Sequence, residues 1–305
     1  MKNLLQCIGK TPLIKLSGLR SEKDSMIYVK LEHLNPAGTH KVRAYLHMIE
    51  EIEKQNMITE DTIFVEASSG NSAIAGAFIC AIKGYKFTAF IPNSVSEERS
   101  KIAKAYGAKV IICALSDYKE QALRFTEEDP RNRIFINQYI NPANSEGFLS
   151  LGEELYNDLN EQGIIPDYFL SGAGTFGLIS GVAISLKKHY PDIKIILIES
   201  PNAPYIHARR NNYTFSYRPS KLTGMGGTTL PKNADEKLYD IAEVANENDA
   251  MEMTKKLAKI GLFVGKTSGA NIDMAVKYAK KVGKGKVIIT NTFDTGEKYL
   301  SENLW

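Results

Sequence analysis

From residue 27 to residue 290 the chain repeats one pattern: a short, almost wholly apolar run, a loop of small or polar residues, then a segment with helical spacing. The runs with strand character are Ile27–Leu31, Thr62–Glu66, Phe87–Ile91, Lys109–Ile112, Ile134–Ile136, Tyr168–Ser171, Lys194–Glu199 and Lys286–Thr290. Between them, helical spacing covers Val42–Asn56, Asn71–Lys83, Ser96–Tyr106, Asn144–Glu161, Gly177–His189, Asp249–Ile260 and Ala270–Val282. Strands that are apolar at consecutive positions are buried on both faces, and their alternation with helices requires parallel pairing with crossover connections. The pattern therefore predicts an α/β protein with open, mostly parallel sheets flanked by helices. The strands are numerous enough for two sheets, one made by the strands from Thr62 to Ile136 and the other by the rest of the chain.

In open parallel sheets, ligands sit beyond the carboxyl ends of the strands. Four loops in such positions hold chemistry-bearing residues: Asn35–Arg43, Ala67–Ala73, Gly172–Gly177 and Gly265–Asn271. Composition narrows what they can serve. With 38 Lys and Arg against 35 Asp and Glu, the net charge of +3 gives no bias toward nucleic acid or an anionic membrane. The basic stretches Lys277–Lys286 and Arg209–Arg210 read as solvated surface. No apolar run approaches the roughly 18 residues of a membrane span, and Met1–Lys10 lacks a signal-peptide pattern; a cytoplasmic protein is expected. Cys7, Cys80 and Cys113 form neither a disulfide framework nor a zinc-ligand spacing, and Cys80, inside Ala75–Ile82, reads as core. His33, His47, His189 and His207 show no metal-ligand spacing, so no metal is expected.

Gly172-Ala173-Gly174-Thr175-Phe176-Gly177 follows an apolar strand and opens a helix, so its backbone N–H groups can cradle a phosphate. It also matches the dinucleotide fingerprint, with Glu199 ending the next strand where a ribose-binding acid belongs. A nicotinamide-dependent dehydrogenase is thus one reading, and a turn without a ligand is another. In the loop Asn35–Arg43, Lys41 stands at a helix start, where the positive end of the helix dipole lowers its pKa. A neutral amine is the nucleophile that an aldehyde cofactor needs, although a lysine at a helix start, taken alone, is more often solvated. Ala67-Ser68-Ser69-Gly70-Asn71-Ser72-Ala73 gathers hydroxyls, an amide and N–H groups at a helix N-terminus, which suits a carboxylate. Capping by Ser68, Ser69 or Asn71 is the plainer reading.

Taken together and in order, these loops resemble the cysteine synthase (O-acetylserine sulfhydrylase) and cystathionine β-synthase family of pyridoxal-phosphate enzymes, of fold type II. The likeness begins at Ile8-Gly9-Lys10-Thr11-Pro12-Leu13 and continues through Lys30-Leu31-Glu32, the lysine loop, Ser68-Ser69-Gly70-Asn71, Ser96-Glu97-Glu98-Arg99 and Asn137-Gln138-Tyr139. It closes with Gly172–Gly181, Gly224-Met225-Gly226, Gly265–Ala270 and Asp294–Leu300. The resemblance implies a tryptophan synthase β-like fold with pyridoxal 5'-phosphate in the cleft between two domains. The larger would comprise residues 1–41 and 148–305, and the smaller, mobile one residues 42–147, in a homodimer. It implies that Lys41 holds the cofactor as a Schiff base and shuttles the α-proton. Asn71 would bond the ring hydroxyl, Gly174, Thr175, Phe176, Gly177 and Leu178 would surround the phosphate, and Thr267 would face the pyridine nitrogen. Ser68, Ser69, Asn71, Ser72 and Gln138 would hold the substrate carboxylate, with Gly226 and Thr228 flanking the substrate. A hydroxyl at Thr267 is a far weaker partner for the ring nitrogen than a carboxylate, which suits loss of a β-leaving group over transamination. The implied reaction is β-elimination or β-replacement on serine, O-acetylserine or cysteine, with a thiol, sulfide or water as second reactant.

The chain departs from the family at several positions. His40 precedes the lysine, as in the tryptophan synthase β chain, and Phe176 and Leu178 replace a glycine and a threonine of the phosphate loop. His40 is therefore expected to supply the missing phosphate contact, the alternative being a packed histidine. Serines replace the substrate-loop threonines, Ala73 replaces a glycine, and Thr228 and Thr229 add hydroxyls that could orient a water. A lyase or exchange enzyme that releases sulfide from cysteine is thus a second candidate. With the chain stopping at Trp305, no C-terminal regulatory module and no haem-carrying segment are expected. A fold of this kind can also persist as a non-catalytic binding protein; Lys41 and Asn71 argue against that.

Overall fold

The computed structural model describes residues 3–55 and 58–305. Among them, ten strands form two sheets. The larger has the order β1 (Leu13–Lys15), β2 (Met26–Lys30), β10 (Val287–Asn291), β7 (Tyr168–Gly172), β8 (Lys194–Glu199) and β9 (Ile241–Val244). All of its neighbours are parallel except β1, which pairs antiparallel with β2. The smaller is wholly parallel, in the order β5 (Lys109–Cys113), β4 (Lys86–Pro92), β3 (Ile63–Ala67) and β6 (Arg133–Phe135). The helices are α1 (Lys41–Gln55), α2 (Asn71–Lys83), α3 (Glu97–Ala105), α4 (Tyr118–Glu127), α5 (Ala143–Glu146), α6 (Leu149–Asn160), α7 (Gly177–His189), α8 (Tyr205–Arg210), α9 (Glu247–Lys259) and α10 (Lys266–Val282).

Burial on both faces explains the continuous apolar runs. On β8, Ile195 and Leu197 join one cluster with Leu151 and Leu155 of α6 and Ile179 and Val182 of α7. The intervening Ile196 and Ile198 join a second cluster with Leu257 of α9 and Ile272 and Ala275 of α10. Each such side chain contributes roughly 1.5–3 kcal/mol by leaving water. The first cluster continues through Tyr45 and Met48 of α1 and Ala73, Ala75 and Phe78 to Cys80 of α2 onto Phe64 and Phe87 of the smaller sheet, with Cys80 buried as expected. The opposite face of that sheet packs Val65 and Phe90 against Ala122 and Phe125 of α4.

Every strand expected from sequence is present, each displaced by no more than one residue at either end. Two edge strands carried no signal: β1 is mostly exposed, and β9 is only half-buried along its length. Helices α4 and α8 were likewise not anticipated; α4 is polar and buries only Ala122 fully. The stretch Asn144–Glu161 is two helices, because the chain breaks at Gly147-Phe148. Gly147 lies so close to α1 that a Cβ there would stand 2.9 Å from Ala44 Cα, and the bend sends Phe148 into the core. Helix α10 begins four residues earlier than expected, so Thr267 lies in its first turn rather than in a loop. The expected end of α1, Asn56, lies outside the described residues. No helix among the described residues is long and apolar enough to cross a membrane.

Candidate active site

The four loops singled out from sequence meet at one cleft. His40 and Lys41 enter it from the start of α1, Ser68, Ser69, Asn71 and Ser72 from the β3–α2 connection, and Gln138 from beyond β6. Gly174, Thr175, Phe176, Gly177 and Leu178 line it between β7 and α7, and Thr267 closes it from α10. Gly226 and Thr228 line an adjoining mouth, which shares Ser69, Tyr139, Thr223, Gly224 and Met225 with the cleft.

Lys41 is the first residue of α1, and its Nζ donates to Thr175 Oγ1 at 3.1 Å. Burial pushes its pKa down to about 8, partly opposed by the negative charge of Glu66. The loss of water around the amine is thus the first cause of the shift. Glu66, at the end of β3, accepts from Tyr45 Oη at 2.6 Å and from the Ala67 N–H at 2.9 Å. Burial raises its own pKa to about 7 against the pull of those bonds. An amine near 8 fixes a pH dependence. Loading cofactor-free protein with pyridoxal phosphate should accelerate about tenfold per pH unit below about 8 and level off above it, because only the neutral amine condenses. Colour development followed by stopped flow measures this, and a flat profile from pH 6 to 9 would contradict it.

The glycine-rich loop is built for close approach. A Cβ on Gly174 would stand 2.0 Å from the Gly224 carbonyl oxygen, so no side chain fits there. Phe176 holds φ 63°, the left-handed conformation that a glycine adopts freely, and buries its ring 5.9 Å from that of Tyr239. The family's glycine is therefore replaced without changing the turn, at a backbone cost of about 1–3 kcal/mol that the buried ring offsets. Leu178 faces the core, so it leaves only its N–H for a phosphate. The first N–H groups of α7 have no helical carbonyl to bond and remain free to meet an anion.

The cleft fits pyridoxal phosphate on its own polar inventory. Asn71 donates to Asp294 Oδ2 at 2.7 Å, while its Oδ1 is buried without a partner and so is ready for a hydroxyl. Gln138 Oε1 accepts from Ser72 Oγ at 2.8 Å, which turns its amide nitrogen toward other acceptors. The N-cap of α2 is Gly70, not one of the expected side chains; Ser68 Oγ accepts from the N–H groups of Gly70 and Ala73 at 3.0 and 3.3 Å while lining the cleft.

His40 and Glu199 each have partners that the sequence did not show. His40 Nδ1 lies 3.1 Å from the Phe293 carbonyl and must donate to it, with the ring held near Phe148 and Phe293. Burial first, then Lys41, keeps this imidazole well below the usual histidine range, so its Nε2 offers a lone pair. Without an anion beside it the ring is thus packed and neutral, as the alternative reading had it, while its place in the cleft keeps the expected phosphate contact within reach. Glu199, the acid required by the dinucleotide reading, is buried and accepts from the N–H groups of Ile206 and His207 at 3.1 and 2.7 Å. It caps α8 and cannot receive a ribose, which removes the dehydrogenase reading. Sequence reasoning gave no role to Glu66, Arg99 or Asn144, although each touches the site; Asn144 Nδ2 donates to Thr175 Oγ1 at 3.0 Å. The only signal for Glu66 was a carboxylate closing an otherwise apolar strand.

A buried amine of lowered pKa, a glycine-built anion cradle and an unpartnered amide oxygen meet in one cleft, as a pyridoxal-phosphate enzyme requires. The chain belongs to the pyridoxal-phosphate dependent enzyme family, whose model matches residues 4–292. It is 38% identical to a cysteine synthase of Staphylococcus aureus over 308 residues, covering 99% of this chain and 96% of that protein. Among solved structures it resembles a hydrogen sulfide-producing enzyme from Fusobacterium nucleatum, with a TM-score of 0.89, 35% identity and coverage of 98% of this chain and 99% of that one. It also resembles O-ureido-L-serine synthase, with a TM-score of 0.91, 29% identity and coverage of 100% and 95%. The protein is thus a cysteine synthase-like, β-replacing enzyme that depends on pyridoxal phosphate.

Proposed function

We propose that the protein replaces the β-substituent of a small amino acid, with O-acetylserine and sulfide as the first candidate pair. The observation that carries this reading is the convergence of the Lys41 amine and the serine-rich N-terminus of α2 in one cleft. In this reading, Asn71 Oδ1 holds the ring hydroxyl, residues 174–178 hold the phosphate and Thr267 faces the ring nitrogen. Bound pyridoxal phosphate supplies an aldehyde for the amino group and a ring that takes up the electron pair left at Cα. Lys41 Nζ removes the proton from Cα and holds it until the β-substituent has left, with Thr175 Oγ1 orienting the amine. Ser68, Ser69, Ser72, Gln138 and the open N–H groups of α2 grip the carboxylate. Residues 42–147 act as the smaller body that closes on residues 1–41 and 148–305. Homodimer formation and a cytoplasmic location belong to the same reading and rest on the family resemblance.

A second reading is favoured by the mouth beside the cleft. Ser116, Tyr118, Lys119, Tyr217, Arg218 and Thr228 line it, and it is roomier than sulfide requires. Release of sulfide from cysteine, followed by addition of water or another thiol, uses the same residues; Thr228 would orient the water. The similarity to the Fusobacterium nucleatum enzyme supports it. Incubating the loaded protein with O-acetylserine plus sulfide, and separately with cysteine, and analysing amino acids by mass spectrometry should reveal cysteine in the first case or serine or lanthionine in the second. If neither incubation forms any of these, the β-replacement reading is wrong.

A further inference from the structure

Arg99, on α3, is among the most deeply buried large side chains, at 1% exposure, and it lines the cleft behind Ser69. Its Nη1 donates to the Ser69 carbonyl at 2.6 Å, and its guanidinium carbon lies 4.7 Å from the centre of the Tyr299 ring. Nε and Nη2 are buried without partners, and among the described residues no carboxylate is ion-paired with it. The acid of this cluster, Asp294, directs Oδ2 to Asn71 and to the Tyr299 hydroxyl, each at 2.7 Å, and its Oδ1, buried without a hydrogen-bond partner, makes no ion pair with Arg99. A buried guanidinium without a paired carboxylate is costly, and it persists where something else requires it.

What requires it is the shape and charge of the serine loop. Gly70 has φ +136°, and a Cβ there would stand 2.1 Å from Arg99 Cδ, so the loop is moulded on the arginine stem. The peptide joining Ser69 and Gly70 is gripped at both ends, its carbonyl by Arg99 and its N–H by Ser68 Oγ at 3.0 Å. Ser68 Oγ also accepts from Ala73, so both of its acceptor positions are used and its own proton is left to donate. Bonds aligned in this way polarise one another, which carries the pull of the guanidinium through the peptide to the Ser68 hydroxyl at the cleft wall.

We propose that Arg99 is the positioning residue and buried counter-charge that make loop 68–72 select a free α-carboxylate. The amino acid supplies the negative charge that Arg99 lacks in the protein, across one peptide rather than by direct contact. This inference rests on the reading of the cleft as an amino-acid site and adds the source of its carboxylate preference.

The test compares two probes, L-serine and L-serinamide, which differ in the charge of that one group. Protein loaded with pyridoxal phosphate is titrated with each, following the visible absorption of the bound cofactor. Arg99→Lys and Arg99→Met should raise the apparent Kd for serine on the order of 10- to 100-fold, with the methionine variant worse. The Kd for serinamide should move less than about threefold, so that the wild-type preference for the acid collapses. Equal weakening of both probes, or no change in either, overturns the proposal, because a merely structural arginine acts on both alike. If Arg99→Met does not fold, Arg99→Lys decides by the same ratio. A wild-type protein that responds to neither probe overturns the amino-acid reading itself, and this proposal with it.

Discussion

Lys41→Met should leave a folded protein that no longer turns over any amino acid, with kcat reduced by at least about 10⁴-fold. The factor follows from removing the base that moves the α-proton, itself worth roughly 10²–10⁴, together with the nucleophile that anchors the cofactor. Borohydride reduction of the wild type should fix the cofactor on the peptide containing Lys41, and mass spectrometry of the variant should find no such adduct. Stability should move the other way. The folded protein binds the Lys41 proton more weakly, with a pKa of about 8 against an ordinary 10.5. Burial of the charge therefore costs stability in full below about pH 8, and the cost disappears as pH rises past 10.5. Methionine carries no charge, so the variant should melt no lower than the cofactor-free wild type at pH 7. A variant that keeps more than about one hundredth of the activity would place the chemistry on another group.

The parts of the fold that sequence revealed are those whose physics is local. Ile195–Ile198 reads as a buried strand because its alternate side chains enter two different cores. The site loops could be found because each follows such a strand, where parallel topology gathers ligands. β1 and β9 sit at sheet edges with half-exposed side chains, so no apolar run marked them. Phe176 looked like a disruption of the phosphate loop, yet it adopts the glycine's own conformation and hides its ring. Arg99 and Asp294 meet the site from 30 and 223 residues away, through Ser69 and Asn71. Nothing in their own neighbourhoods shows what they touch. Glu199 fell at the spacing of a ribose acid and was spent instead on the N–H groups of α8.

Two residues beyond the reactive lysine, Arg43 should prove to be the support on which the start of α1 depends. Its guanidinium grips Glu32 with two bonds, Nε to Oε2 at 2.7 Å and Nη2 to Oε1 at 2.8 Å. It grips Glu154 of α6 with two more, each at 2.8 Å. Burial works against the charge, but Glu32 and then Glu154 outweigh it and hold Arg43 above the ordinary arginine value. Glu32 is fully buried and completes its bonds with Thr11 Oγ1 at 2.6 Å and Asn35 Nδ2 at 2.9 Å. The same cluster therefore ties the Thr11 segment, the lysine loop, α1 and α6 together. Arg43→Met keeps the stem's apolar packing but leaves Glu32 charged, buried and without a cation. Breaking one side of a buried pair costs about 3–5 kcal/mol, which for a chain of this size lowers the melting temperature on the order of 10 °C. Replacing both partners, Glu32→Met with Arg43→Met, should recover part of that loss, since no lone carboxylate remains. Thermal unfolding followed by circular dichroism separates the cases. A drop of under about 2 °C for Arg43→Met, or a double variant no better than the single, would show that the cluster does not hold the lysine's helix in place.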